Sequence, residues 1–164
     1  MVGIVLSLIL TTNVTFHLPN LQNDFKGFMD YKKIQDKESV QYQLQSVACT
    51  DDDGIRYITH NNIKYLCVAL GSYFGTRIGT IYEIKLGDGK IFNVVLADCK
   101  SDKDTDITNT YLEINDSYIN IIEFVVDVAK ISEKSLKLGD IIEYPYQIKS
   151  IVKQGYFDYL KNNS

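Results

Sequence analysis

The chain has 164 residues, 45% hydrophobic and 23% charged, which suits one globular domain with a real core. Tyrosine is frequent at 12, tryptophan is absent and proline is scarce at 2, a balance that leans towards β structure. The net charge of -4 and the lack of a Lys/Arg-rich block argue against a nucleic-acid partner, since little is present to neutralise phosphates.

In chain order, residues 1–27 read as an apolar segment and a linker. Residues 2–10 are apolar apart from Gly3 and Ser7, and the run is too short to span a bilayer. It has the length of a signal-peptide core, yet no Lys or Arg precedes it and no small-x-small cleavage site follows. It fits an export remnant, a buried strand or a wrongly placed start, and the polar stretch after it favours the first. Residues 11–23 are the linker. Residues 24–38 set Phe25, Phe28, Met29, Tyr31 and Ile34 among charges, and read as a short helix or an extended arm docked on the domain.

A β domain is predicted over 28–153. Val40, Tyr42 and Leu44 alternate with Gln41, Gln43 and Gln45, the period of a strand with one wet face that runs on to Cys49. Asp51-Asp52-Asp53-Gly54 is turn chemistry, 55–58 the return strand, His60-Asn61-Asn62 a second turn and 64–70 a buried strand. Gly71, Gly75 and Gly79 predict a tight loop. That loop is neither a P-loop nor a dinucleotide fingerprint, and no cofactor is implied. Residues 81–86 and 91–97 form a hairpin across Gly87-Asp88-Gly89. Residues 119–128 read as one central strand with Glu123 embedded, 132–138 as a short helix ended by Gly139, and 141–144 and 147–152 as short strands around Pro145. Residues 154–164 read as a loosely held tail. The sum is a mainly β fold: a small six-stranded barrel with one short helix and an N-terminal arm.

Chemistry gathers after the 91–97 strand. Asp98 stands where an apolar run stops; partial burial there would raise its pKa and suit a general acid, while the plainer role is to accept hydrogen bonds from loop N–H groups. Glu123 sits in an apolar strand, where a carboxylate is costly without a partner, and Lys100, Lys103 or solvent would relieve it. Asp102, Asp104, Asp106 and Glu113 fall at the 1, 3, 5 and 12 spacing of a calcium loop, but Ile107 replaces the glycine of the sharp turn, so a solvated acidic loop is the default. Cys49, Cys67 and Cys99 form no C-x-x-C pair, and His17 and His60 cannot complete a zinc pattern. Cys49 and Cys67 are expected to be buried. Cys99 has no neighbouring His in sequence to activate it.

Several stretches together resemble a group of small β proteins from Gram-positive bacteria and their prophages. They are Met29-Asp30-Tyr31, Gln41-Tyr42-Gln43-Leu44-Gln45, Asp53-Gly54-Ile55-Arg56, the run from Val68 to Gly75, Ile78-Gly79-Thr80, Asp98-Cys99-Lys100-Ser101-Asp102, Thr105-Asp106 and Glu123-Phe124-Val125-Val126-Asp127. The likeness covers about 28–152. That group in turn looks like the double-psi β-barrels of the rare-lipoprotein-A, expansin and three-aspartate type, through Val68-Ala69, Gly79-Thr80, Ala97-Asp98 and Glu123-Phe124. Gly71 stands where the three-aspartate pattern has its first aspartate, Cys99 where the closer group often has Gln, and Asp104 where it often has His.

The resemblance implies a cell-envelope setting and glycan handling, in some cases lytic transglycosylase chemistry with one Asp as acid and base. Asp98 is the position that inherits that role, with Glu123, Asp102 and Asp106 shaping the site and Tyr73, Phe74 and Tyr111 offering faces to sugars. The implied partner is peptidoglycan glycan or another cell-wall polysaccharide, and the setting is extracellular, envelope or virion. The competing expectation is a non-catalytic structural or adaptor module of a phage particle or surface complex.

Overall fold

The computed structural model describes residues 13–18, 24–115, 118–131, 136–137, 140–141 and 144–158. The apolar segment at 2–10 lies outside them, as do Pro19 and residues 132–135 of the expected late helix.

The centre is the predicted hairpin. β6 (Thr80–Leu86) buries Thr80, Tyr82, Ile84 and Leu86 and turns Ile81, Glu83 and Lys85 outward, the alternation read from the sequence. β7 (Ile91–Cys99) returns antiparallel to it. β5 (Ile63–Leu70) lies parallel to β7 on the other side, so β7 is flanked by strands on both edges. Its unbroken run of buried Val94, Val95, Leu96 and Ala97 lacks alternation, the pattern of a strand covered on both faces.

β5 divides its remaining edge. β4 (Arg56–His60) pairs with its first half across a turn in which Asn61 and Asn62 hold φ of 49° and 62°. β10 (Glu123–Val126) pairs with Val68 and Ala69 in its second half. β2 (Gly27–Asp30) runs parallel to β10, and β3 (Cys49–Thr50) pairs with β4. On the far side β13 (Ile148–Tyr156) joins β6, and β1 (Val14–Phe16) joins β13. The nine strands run β1-β13-β6-β7-β5-β10-β2, with β4 and β3 branching from β5. Two separate ladders pair β8 (Leu112–Asn115) with β9 (Tyr118–Asn120) and β11 (Leu136–Lys137) with β12 (Asp140–Ile141).

The mainly β class holds, but the six-stranded barrel needs correction. The main sheet has nine strands, and among the described residues its ends, β1 and β2, do not pair to close it. The four short strands that would lengthen it pair with one another instead. No helix among the described residues is long and apolar enough to cross a membrane.

Other expectations shift for local reasons. The alternating 40–49 stretch is not a strand over most of its length: Val40–Val47 is α-helix α1, followed by β3. Ser39 caps it, its Oγ accepting from Tyr42 N at 3.1 Å. Glutamine is a good helix former, and i, i+4 spacing sets Leu44 one turn from Val40 and Gln45 one turn from Gln41. Leu44 and Gln45 are the buried pair. The arm at 24–38 contributes β2 and a 3-10 turn at Tyr31–Lys33, and Phe28, Met29 and Tyr31 dock on the core as expected. The single strand at 119–128 divides into β9 and β10, because Asn120 Nδ2 donates to Phe25 O at 2.7 Å and Ile122 O at 2.9 Å and bends the chain between them. Leu136 and Lys137 of the expected helix are strand. Part of the linker is β1, and the tail's first residues extend β13, with Phe157 buried and its N–H donating to Gly79 O. Cys67 is buried as expected, whereas Cys49 is exposed.

Candidate functional site

Four residues line up across four strands. In the β7–β5–β10–β2 order, Asp98 is registered with Ala69, Ala69 with Glu123, and Glu123 with Gly27. Residues registered on adjacent strands point to the same face. The two carboxylates therefore share a face, their Cα atoms roughly 10 Å apart at two strand spacings. Between and beside them stand the two smallest residue types. A side chain at Gly27 would meet Asn120 Nδ2 at 3.2 Å and Glu123 Cγ at 3.6 Å.

An irregularity in β7 makes this row. Val68 is registered with Leu96 but Ala69 with Asp98, so Ala97 is an extra residue. Without it Ala97 would oppose Ala69, and Asp98 would alternate to the other face. The bulge turns Asp98 towards Glu123, a known use of bulges at strand ends.

Asp98 is half-buried. Its Oδ1 accepts from Cys99 N at 2.9 Å, and the Gln41 side chain of α1 lies near it. Burial pushes its pKa above 3.8, the Cys99 N–H and the nearby Gln41 amide oppose the shift, and the charge of Glu123 adds to it. Glu123 has its own counter-ion: Lys100 Nζ lies 3.3 Å from Oε1, with side chains 2% and 27% exposed. Burial pulls the Lys100 pKa below 10.5, against the pull of Glu123 and Asp24. Lys100 Nζ also donates to Asn120 Oδ1. Behind them a second buried pair, Lys26 Nζ and Asp24 Oδ2 at 3.2 Å, is tied to β13 through Ile148 N. Asp24 Oδ1 is buried without a hydrogen-bond partner.

The remaining candidates separate. Phe74 is 1% exposed and its backbone oxygen accepts from Tyr82 Oη, so it is a core residue and offers no face to a sugar. Tyr73 is exposed, packed edge-on to Phe16 and Phe74. Tyr111 is partly buried against the core. Asp102 accepts from Ser72 Oγ at 2.6 Å and fastens the acidic loop to the 3-10 turn at Ser72–Phe74. Asp106 folds its own loop: Oδ1 accepts from Thr110 N and Tyr111 N at 2.7 and 2.9 Å, and Oδ2 from Thr108 N at 2.9 Å. Desolvation opposes these bonds, yet they hold its pKa below 3.8. Among the described residues no group of three or more His, Cys, Asp or Glu could hold a metal, so the spacing of Asp102, Asp104, Asp106 and Glu113 does not become a calcium site. Asp106 spends its oxygens on backbone, and Glu113 is exposed on β8.

No family model matches the chain, nor does any known protein or solved structure compared with it.

Within the chain, then, the row is defined by geometry alone. Cys99 follows Asp98, but burial first, then Asp98 and Asp102, push its thiol up to about 11, which leaves it a poor nucleophile. Two cavities lined by described residues lie elsewhere: one of about 410 Å³ between α1 and the 31–37 turn, the other of about 390 Å³ beside Phe92 and Tyr144. Neither includes Asp98 or Glu123. Sequence reasoning found both carboxylates and Lys100. It missed Asn120, Gln41 and the Asp24–Lys26 pair, whose roles arise only when distant segments meet. Ala69 and Gly27 left a weak signal, as small residues beside apolar ones.

Proposed function

We propose that the chain is an exported or phage-encoded protein of the cell envelope that acts on peptidoglycan glycan, with Asp98 as general acid and base. The observation that carries this reading is the Asp98–Ala69–Glu123–Gly27 row, with Lys100 seated under Glu123. It sets two carboxyl groups in unlike environments: one half-buried with a raised pKa, the other ion-paired. Acid–base chemistry uses this kind of division. Asp98 in its acid form gives a proton to the glycosidic oxygen as the C1–O bond breaks. Its carboxylate then takes the proton of the attacking hydroxyl, from water or from the sugar itself, as the new bond to C1 forms. The negative charge of Glu123 favours the positive charge that develops at C1.

The resemblance to double-psi barrels gains support from adjacency. The runs that carry it, Val68-Ala69, Ala97-Asp98 and Glu123-Phe124, lie side by side on β5, β7 and β10, and Gly79 N donates to Leu96 O at 2.9 Å. We read the sheet as an opened relative of that barrel. Gly71, in the place of the first of three aspartates, has no room for a side chain: a Cβ there would sit 2.0 Å from Asn109 O. The proposed chemistry therefore rests on Asp98 and Glu123 without that aspartate.

One observation favours a non-catalytic adaptor instead: Asp98 Oδ1 is already engaged by Cys99 N, as a loop-capping carboxylate would be. Incubation of purified peptidoglycan with wild type and Asp98→Asn separates the two. Soluble saccharides released by wild type, with release lowered at least about a hundredfold in Asp98→Asn, are the expected result. Equal release by both removes Asp98 from the mechanism, and no release by either favours the adaptor.

A further inference from the structure

The larger of the two cavities is lined by α1, the helix whose Gln41 side chain lies near Asp98. Gln45, four residues on from Gln41 and about 6 Å along the axis, lines the cavity. Its volume of about 410 Å³ falls within the roughly 300–1,000 Å³ of small-molecule sites. Tyr31 and Tyr42 bring aromatic surface, Gln35 an amide, and Lys32 and Lys37 ammonium groups; among the described residues no carboxylate lines it.

The walls are held in advance of any ligand. Arg56, itself buried, lies 4.4 Å from the Tyr31 ring centroid and donates through Nε to Gln45 Oε1 at 3.1 Å and through Nη2 to Gln45 O at 2.5 Å. One guanidinium thus holds a ring and an amide that both line the cavity. Gln45 is 5% exposed, its Oε1 held by Arg56 and its Nε2 buried beside the Cys67 thiol. Lys32 is ion-paired with Asp127 at 3.2 Å, which leaves Lys37 as the lining cation for an acidic group.

Aromatic surface suits the apolar face of a pyranose, the Gln35 amide suits a hydroxyl or N-acetyl oxygen, and the lysine suits a carboxylate. We infer that the cavity between α1 and the 31–37 turn is a saccharide subsite for an N-acetylated, carboxylate-bearing sugar of the strand whose bond lies at Asp98. The inference rests on the glycan reading above and adds to it a second contact point and a preference for acidic sugars.

The test is titration of the full chain, ¹⁵N-labelled, with a tetrasaccharide of alternating N-acetylglucosamine and N-acetylmuramic acid, and separately with the neutral N-acetylglucosamine tetramer. Shifts at the Gln35 side-chain amide and the Lys37 backbone amide are expected, with tighter binding of the acidic probe. Tyr42→Ala should weaken it about tenfold, as should Gln35→Ala/Lys37→Ala, which alters only exposed positions and guards against misfolding. Asp98→Asn should keep affinity within about threefold of wild type. Binding with shifts confined to the neighbourhood of Asp98 and Glu123, and unchanged affinity in both cavity variants, would overturn the subsite and leave the glycan reading standing. No binding of either probe would overturn both.

Discussion

Asp98 illustrates how one side chain's environment sets its chemistry and its cost. Its raised pKa has a definite sign in the stability of the fold. Between 3.8 and the higher native value the folded chain holds more protons than the unfolded one, so stability falls as pH rises through that window. Above it, the penalty of an ionised, half-buried Asp98 is complete. Asp98→Asn keeps the shape and an acceptor for Cys99 N but removes the charge. Thermal melting should place this variant a few degrees above wild type at pH 7, with the gap closing towards pH 4. A variant that melts below wild type at pH 7 would show that the carboxylate stabilises the fold by capping the loop. The residue scale was partly legible: a carboxylate inside an apolar strand is costly alone, so Glu123 pointed to Lys100, Lys103 or solvent, and the fold supplies Lys100. The bulge at Ala97 carries no such signal, because nothing in Val-Val-Leu-Ala says which residue the ladder will skip.

At the scale of elements, hairpins were readable and mixed patterns were not. Gly87-Asp88-Gly89 and Asn61-Asn62 lie in turns whose backbone demands those residues. Asn61, Asn62 and Gly89 hold positive φ. The α1 segment misleads because Val-Gln-Tyr-Gln-Leu-Gln satisfies a period of two as well as one turn of helix, and the deciding group, Ser39, lies outside the alternation. Ser39→Ala should cost about 1 kcal/mol in chemical denaturation. The close approach at Gly71 makes a stronger demand. Its φ of -66° is open to any residue, so the glycine is required by Asn109 O rather than by backbone strain. Gly71→Ala should destabilise by about 1–3 kcal/mol and displace the acidic loop. A Gly71→Ala loss no greater than that of an exposed loop substitution would refute this packing.

Across the whole molecule, the site depends on a sheet that gathers chain-distant strands. β2, β5, β7 and β10 meet in one row, and the pairings that bring them together are long-range. The β class was legible from composition and turn spacing. Barrel closure was not, since closure depends on which edges meet, and the short strands between 112 and 141 satisfy one another locally. Hydrogen exchange should rank the strands accordingly: slowest at β7, then β5, which are flanked on both sides, and faster at the edge strands β1 and β2. Equal protection across the sheet would contradict the open order.

The central claim is that the Asp98 carboxyl titrates above its ordinary value because it is half-buried and faces the charge of Glu123. The direct measurement is a ¹³C NMR titration of the Asp98 carboxyl in wild type and in Glu123→Gln. The account predicts a midpoint above 3.8 in wild type and a lower one in Glu123→Gln. An ordinary midpoint in wild type, unchanged by Glu123→Gln, would contradict it.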